Sequence, residues 1–468
     1  MKDAFGITTI GFDVAVIGAG PAGISCANSL ADMGLEVVVL DEQPNPGGQI
    51  YKNIEHVSSA CLNILGDDYS AGQPLIKKFR HRNPTYYPGA SVWQVNSDGH
   101  IFYSKDGISK EEAAKFIVVA TGAMERPVPF PGWTLPGVMS AGGANNLIKN
   151  GGLVPNGRVT LAGSGPLLLL EAVHLIDMGV DIKAILETTP AIPNISSLIH
   201  LPQALGRMDL LKKGISMLQK IKKAGIPHYK GIRKLSVKGN DRVESVHALK
   251  GDDSINVDAD MLFVHFGVVP NTSIYRQIGC EHEWNDIQRY WYPQSDKWGR
   301  TSLSNVFAAG DGQFVHGAVP AALKGELTAL AIAADIKMID KDERDKQAKS
   351  IENQLQNELK PRSFIDALYA PILNLLDVPK ETLICRCECI TMGQILDVID
   401  EGCVEPNEVK ALLRPGMGPC QGKMCGSIIS EIISMKTGKK IKEVGSLNIR
   451  PPLKNIPLSE IAEMKFLA

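Results

Sequence analysis

The chain has 468 residues, about three domains at roughly 150 residues each, and its 44% hydrophobic and 21% charged content supplies a large core and excludes global disorder. Lys and Arg number 49 against 51 Asp and Glu, a formal charge of −2 that gives no electrostatic reason to expect nucleic-acid binding. No uninterrupted apolar run reaches the roughly 18 residues of a transmembrane helix. Met1 to Phe12 carries Asp3 and no apolar h-region, so no secretory signal is expected and the expected location is cytoplasmic.

In chain order, Asp13–Ile17 is a short apolar run of the kind that forms a buried parallel strand. It runs into Gly18-Ala-Gly20-Pro21-Ala22-Gly23, and a helix with Ile24, Ala27, Leu30 and Ala31 on one face follows, ending at Gly34. A second strand, Val37–Leu40, closes with Asp41 and Glu42. Gly18, Gly20 and Gly23 satisfy GxGxxG in the strand–turn–helix setting that this motif requires. There the glycines permit a sharp turn, a close approach of pyrophosphate to backbone, and tight packing of helix on strand, with phosphate charge at the positive helix end. Asp41 falls 18 residues beyond Gly23, where an acid accepts ribose hydroxyls. A further strand, Phe116–Ala120, ends in Thr121-Gly122.

A second βαβ unit begins with strand Val159–Ala162, turn Gly163-Ser-Gly165-Pro-Leu-Leu168, helix Leu169–Met178, and strand Ile182–Leu186 ending at Glu187. Leu168 occupies the third glycine's place, so helix and strand pack less closely there. Glu187 suits a ribose diol and would repel a 2′-phosphate. Turnover of NAD(H), a retained fold without nicotinamide turnover, and an adenine nucleotide held without redox chemistry all stay open for this half. Ile232–Lys250 alternates like β-ribbon, Met261–Phe266 is a strand, Val306–Asp311 is a strand ending in an acid, and a long Ala-rich helix spans about Val319 to Ile336. Lys337–Lys360, rich in mixed charge, is expected to be an exposed helix or connector.

Six of the nine cysteines lie within the 41 positions from Cys385 to Cys425. In a reducing compartment such a cluster points to metal rather than to disulfides. Cys385 and Cys387 form one pair and Cys420 and Cys425 another, 33 residues on, among glycines 416, 418, 422 and 426. Four thiolates hold a [2Fe–2S] cluster or zinc, and the glycines would let backbone N–H groups face sulfur. The tight CxC favours [2Fe–2S] over zinc, with Cys385, Cys387, Cys420 and Cys425 as ligands and Cys389 as the alternative in the first pair. Cys26, Cys61, Cys280 and Cys403 are isolated and are expected to be inert. No CxxC or CxxxxC precedes residue 420, which excludes thioredoxin- and glutathione-reductase chemistry. His316 is expected to be an ordinary hydrogen-bonded loop residue. No acid–base constellation for oxidising a substrate is visible, so no catalytic residue is assigned.

From Asp13 to Asp335 the sequence resembles the two-dinucleotide-domain flavoprotein reductases. That resemblance implies FAD in the first half: Gly310 and Asp311 of Ala309-Gly310-Asp311 at the ribityl chain, Thr121 and Gly122 at the crossing turn, and the helix near Val319 aimed at the isoalloxazine ring. Thr121–Met139, Gly47-Gly-Gln49-Ile-Tyr51 and Arg450-Pro-Pro452 resemble a narrower group. It comprises the B component of hydrogen cyanide synthase, the A component of opine oxidase, the α components of proline and hydroxyproline dehydrogenases, and sarcosine oxidase α. The implied fold is α/β, two Rossmann-like three-layer domains of glutathione-reductase type plus a small helical domain like that of bacterioferritin-associated ferredoxin (BFD). The expected division is 11–155 with 256–340 for FAD, 156–255 for the second nucleotide, 341–380 as connector, 381–440 for [2Fe–2S], and 441–468 as tail.

The resemblance also implies that the chain works within a complex. A β partner of amino-acid-oxidase type would oxidise a C–N bond, a small ferredoxin-like γ partner would accompany it, and the complex could meet a membrane peripherally. This chain would carry the electrons onward. A self-sufficient NADH-dependent flavin and iron–sulfur reductase, and a structural subunit holding a non-redox nucleotide, are the two other readings.

Overall fold

The computed structural model describes residues 11–192, 195–372 and 376–464. The N-terminal stretch expected to lack a leader therefore falls, up to residue 10, outside the described residues, as do 373–375 of the connector and 465–468 of the tail. Two parallel sheets dominate. In the first, Thr85–Pro88, Val37–Asp41, Phe12–Ile17 and Ile108–Val119 lie side by side, and Val306–Ala308 adds in parallel to the last. The continuous apolar runs forecast their burial: Val14 to Val16 and Val38 to Leu40 are fully buried, as strands covered on both faces must be. Ile108–Val119 serves two sheets, because its early residues pair antiparallel with His100–Lys105 while its later ones pair with Phe12–Ile17.

The second sheet runs His228–Lys230, Ile182–Glu187, Val159–Ser164, Met261–Phe266, Val138–Ser140, all parallel. Here the sheets divide differently from the sequence division. Met261–Phe266 and Val138–Ser140, both placed with the FAD-binding half, hydrogen-bond in the second sheet. An apolar run reports burial and not which of two buried sheets it joins, so the strand pattern could not decide this. The two halves are joined by Ala123–Glu125 pairing antiparallel with Val268–Pro270, where the chain crosses out and back. The expected ribbon is a three-stranded antiparallel sheet, Lys234–Lys238, Ser245–Lys250 and Asp253–Asp258.

Helix Lys341–Leu359 follows the long helix Ala318–Asp335. It is less exposed than its charge suggests, because Ala348, Ile351 and Leu355 pack on the core shared by the two halves. The cysteine-rich segment has a core of its own, built from Ile384, Ile395, Val409, Ile429 and Ile433 on hairpin Leu383–Cys385/Ile390–Thr391 and helices Met392–Asp400, Pro406–Leu413 and Gly426–Thr437. Beyond it the tail straps back over the first half: Leu453 packs under the first sheet and its N–H donates to Trp93 O at 2.7 Å. No helix among the described residues is long and apolar enough to cross a membrane.

Candidate functional site

The first glycine turn is a cradle with no room for side chains. A Cβ on Gly23 would lie 1.9 Å from Gly18 O, and one on Gly48 would lie 2.9 Å from the Cα of Gly20. Gly20 and Gly48 thus pack backbone against backbone at the N-terminus of helix Pro21–Asp32, where backbone N–H groups attract phosphate. This fits an FAD pyrophosphate. Gly47 N–H donates to Ala19 O at 2.7 Å and ties the second loop to this turn, with Gln49 just beyond it, exposed.

Asp41 differs from the expectation. Its two carboxylate oxygens accept backbone N–H groups from Ala19 and, at 2.6 Å, from Gln43, and burial pushes its pKa up to about 6. Asp41 therefore braces the turn itself. Glu42, exposed beside it, reaches outward and pairs with Lys454 of the tail at 2.5 Å.

The late strand delivers Asp311 where the sequence placed it, at the mouth of the same sheet. Its Oδ1 accepts from His316 N at 2.8 Å and Gly317 N at 3.0 Å, shaping the loop before helix Ala318–Asp335. Gly310 backs onto Ala22 of the first turn, and Gly122 accepts from Asn271 N at 3.0 Å in the crossing. The Thr121 hydroxyl donates to the same Asn271's carbonyl at 3.3 Å. Val319 is exposed at the start of the helix. The His316 ring packs on Phe314 at 4.8 Å and its Nδ1 is buried with no partner. Burial, with Lys324 and Arg362 near, drives its pKa down to about 2, so it is neutral. Lys324, one turn into the helix, is brought down to about 8 by burial, against the pull of Asp311.

The second glycine turn has the same local form and a different setting. In a doubly wound sheet the ligand enters at the carboxyl ends of the strands, where the strand order reverses. Here that point lies between Val159–Ser164 and Met261–Phe266. The chain itself fills it. Ser164, Thr188 and Phe266 from the strand ends meet Pro371, Ile372 and Leu376 of the connector, with Ile428 and Glu431 of the cysteine domain above. The space left is about 40 Å³, room for a few waters, whereas small-molecule pockets begin near roughly 300 Å³.

Glu187, only 1% exposed, is already satisfied. Its Oε2 meets His228 Nε2 at 2.7 Å and Lys230 Nζ at 3.6 Å. Burial alone would push its carboxyl up, but His228, Lys230 and Thr189 outweigh that and hold it low. Tyr369 of the connector sits close by, its hydroxyl pushed up to about 12 by burial and then by Glu187.

Two buried contacts hold this roof down. Arg289 makes a bidentate pair with Glu431 of helix Gly426–Thr437, Nε to Oε1 at 2.8 Å and Nη2 to Oε2 at 2.5 Å. Arg126 braces Arg289 from beneath, donating to Phe266 O at 3.2 Å, Arg289 O at 2.8 Å and Gln288 O. On the other side Trp133 Nε1 donates to Leu383 O at 2.8 Å, and the Arg386 guanidinium lies over the Trp133 ring, 5.5 Å from its centroid. None of these roles was foreseen. Arg126 and Trp133 lie in the Thr121–Met139 stretch, but nothing local says that their partners come from hundreds of residues away.

The four expected thiols converge. Cys385 hydrogen-bonds with Cys425, and Cys387 with Cys420. The Cys385 thiol is brought down to about 5, chiefly by Cys425 and also by backbone N–H groups of Glu388, Gly416 and Cys387. The Cys425 thiol is correspondingly raised, first by Cys385 and then by burial. No three ligands among the described residues gather at one metal-sized point; the thiols fall instead in two pairs, a donor set that suits a two-iron cluster. Cys389 points away, exposed, with its Sγ 3.8 Å from Arg386 O. The remaining cysteines are free thiols, and Cys26, Cys61 and Cys280 are buried.

Residues 12–333 match the pyridine nucleotide-disulphide oxidoreductase family, and 383–435 the BFD-like [2Fe–2S] binding domain. The A component of opine oxidase from Agrobacterium tumefaciens (strain Ach5) is 38% identical over 98% of this chain and 92% of its own length. The hydrogen cyanide synthase component HcnB of Pseudomonas aeruginosa is 30% identical over 95% and 97%. The solved L-proline dehydrogenase from P. horikoshii shares the fold with a TM-score of 0.72 at 22% identity, over 97% of this chain and 79% of that one. These matches agree with the cradle and the paired thiols: FAD and a [2Fe–2S] cluster are the cofactors.

Proposed function

This chain belongs to the pyridine nucleotide-disulphide oxidoreductase family, beside the A component of opine oxidase, and we propose from that premise that it is the electron-transferring subunit of a complex that oxidises an amino or imino acid. The donor would be a C–N bond in a substrate of the opine, proline or hydroxyproline class, oxidised on a partner flavoprotein of amino-acid-oxidase type, with a small ferredoxin-like third partner. The observation that carries this reading is the roofed second site. A reductase fed by NADH needs a nicotinamide beside the flavin, and the connector and helix Gly426–Thr437 stand where that nucleotide would enter. Electrons then have to arrive by another route.

FAD accepts two electrons and releases them singly, and a [2Fe–2S] centre carries one, so the two together convert pair transfer into single steps. The chain's own part is to hold and shield them. Gly18, Gly20, Pro21, Ala22 and Gly23 would take the pyrophosphate on their backbone. Glu42 rather than Asp41 would face the ribose, with Gln49, Thr121, Gly122, Gly310, Asp311 and Val319 along the rest of the cofactor. Cys385, Cys387, Cys420 and Cys425 would bind iron, with backbone N–H groups aimed at the sulfur of Cys385.

The test is anaerobic spectroscopy on the chain alone and on the complex purified from its host. NADH is expected to leave the flavin of the isolated chain oxidised. In the complex, a D- or L-imino acid or an opine is expected to bleach it. Rapid bleaching by NADH alone would replace this reading with the self-sufficient reductase.

A further inference from the structure

A polar cavity of about 380 Å³ lies between the FAD-binding half and the tail, next to the cysteine domain, since Leu447 of its lining packs on Gly416, Gly422 and Gly426. Its walls come from helix Ser273–Gln277, the turn into strand His282–Asn285, and the stretch 446–450 that leads into Arg450-Pro-Pro452. Two guanidiniums line it, Arg276 and Arg450, with His282, Cys280, Ser446 and Asn448; no lining residue is acidic. Arg276 is half-buried and has only neutral partners: Nε donates to Thr272 Oγ1 at 3.0 Å, Nη1 to the Ser446 hydroxyl, and the guanidinium lies over Trp291 at 5.6 Å. Burial lowers its pKa to about 10, with no carboxylate to oppose the loss of water. Arg450 is exposed and forms no ion pair among the described residues. Even half-buried, a cation without a counter-ion is costly. A second cation facing the same space makes an anion the natural completion.

His282 adds no charge to this wall. Its Nδ1 donates to Cys280 O at 2.8 Å, its Nε2 is closed off from solvent, and burial, with Arg276 beside it, pushes its pKa down to about 4 and keeps the ring neutral. The ligand therefore has to satisfy the two guanidiniums alone. A phosphate group brings three terminal acceptor oxygens and up to two negative charges, enough for both forks, where a single carboxylate brings two oxygens and one charge.

We propose that this cavity is a binding site for a phosphate-bearing small anion, free phosphate or a monoester, held by Arg276 and Arg450. Bound there, the anion pins the tail to the FAD-binding half. The tail is also tied to the cysteine domain, through Asn407 Nδ2 to Ser446 O at 3.2 Å and Lys410 Nζ to Asn448 O at 3.0 Å. The anion therefore strengthens the docking of the two cofactor-bearing parts.

The test uses FAD-loaded chain, so that the glycine cradle is filled, at constant ionic strength set with chloride. Inorganic phosphate, AMP and succinate are titrated by calorimetry, and tail cleavage by a protease is followed in parallel. Phosphate or AMP is expected to bind saturably and to slow cleavage after residue 446. Arg450→Gln, an exposed change that leaves folding and flavin content intact, is expected to weaken binding at least tenfold. Tighter binding of AMP than of phosphate identifies a monoester as the source, and the reverse identifies free phosphate. Binding of succinate alone, no binding of either phosphate, or equal binding in Arg450→Gln would each overturn the proposal.

Discussion

The two glycine turns of this chain start alike and end differently. Each follows a buried parallel strand, each opens a helix with proline at its first position, and each is followed by a strand ending in an acid. Around the first, Gly20 and Gly48 pack backbone to backbone beside the helix N-terminus and Glu42 reaches outward. Around the second, Glu187 is locked by His228 and Lys230, and the mouth is closed by residues from beyond position 360. A phosphate-binding turn is a local property, whereas access to it belongs to whatever the rest of the chain lays across the strand ends.

The strongest way to break that contrast is to force the backbones of the first turn apart. Gly48→Ala adds a Cβ 2.9 Å from the Cα of Gly20, at a φ of +61° that a side chain rarely adopts. It is expected to cut FAD retained through purification at least tenfold, read from the flavin absorbance. Glu187→Gln in the second half is expected to leave flavin content unchanged. An equal loss from both would erase the distinction.

Next in size is the roof. Glu431→Ala removes one partner of a buried bidentate pair and strands Arg289, a change of about 3–5 kcal/mol. The melting transition of the cysteine domain is expected to fall, and proteases are expected to cut the connector sooner. If NADH then reduces the flavin of this variant, the closed mouth rather than a missing motif is what excludes nucleotide. A smaller effect is expected from Trp133→Phe, which keeps the apolar ring but leaves Leu383 O without its donor, about 1–3 kcal/mol by denaturant unfolding.

Of the same order as the loss in Trp133→Phe is a pH dependence in the second half. Glu171 is fully buried, its Oε2 accepts from Asn145 Nδ2 at 2.6 Å, and its Oε1 has no partner. Burial raises its pKa to about 7. Its folded value lies above the unfolded one, so its contribution is fully present below about pH 4.5 and is lost as pH rises through about 7. Stability is expected to decline over that window by on the order of 2–3 kcal/mol, and Glu171→Gln is expected to flatten the decline in a series of melting curves.

What local pattern could reveal, it did reveal. Gly18-Ala-Gly20 after a run of β-branched residues, Ala309-Gly310-Asp311 at a strand end, and two cysteine pairs among glycines all encode backbone geometry or donor chemistry within a few residues. The α/β class, both βαβ units and the [2Fe–2S] domain were therefore legible, whereas the pairing of the thiols was not, since Cys385 meets Cys425 and Cys387 meets Cys420, across the sequence pairs rather than within them. Asp41 shows the limit at the finest grain: the motif places an acid there, but only packing decides that it braces Ala19 while its neighbour Glu42 faces outward.

Contacts between distant segments were out of reach. Arg126 with Arg289 and Glu431, Trp133 with Leu383 and Arg386, Tyr369 beside Glu187, and the meeting of Arg276 with Arg450 each join residues that no periodicity links. By itself the amino-acid order determined which elements form and which cofactors they suit, because turns, strand runs and ligand spacing are short-range physics. The tertiary structure alone decided which sheet Met261–Phe266 joins, what lies over the second nucleotide turn, and where charge is left unbalanced. Those outcomes depend on which surfaces compete for the same space once the chain has collapsed.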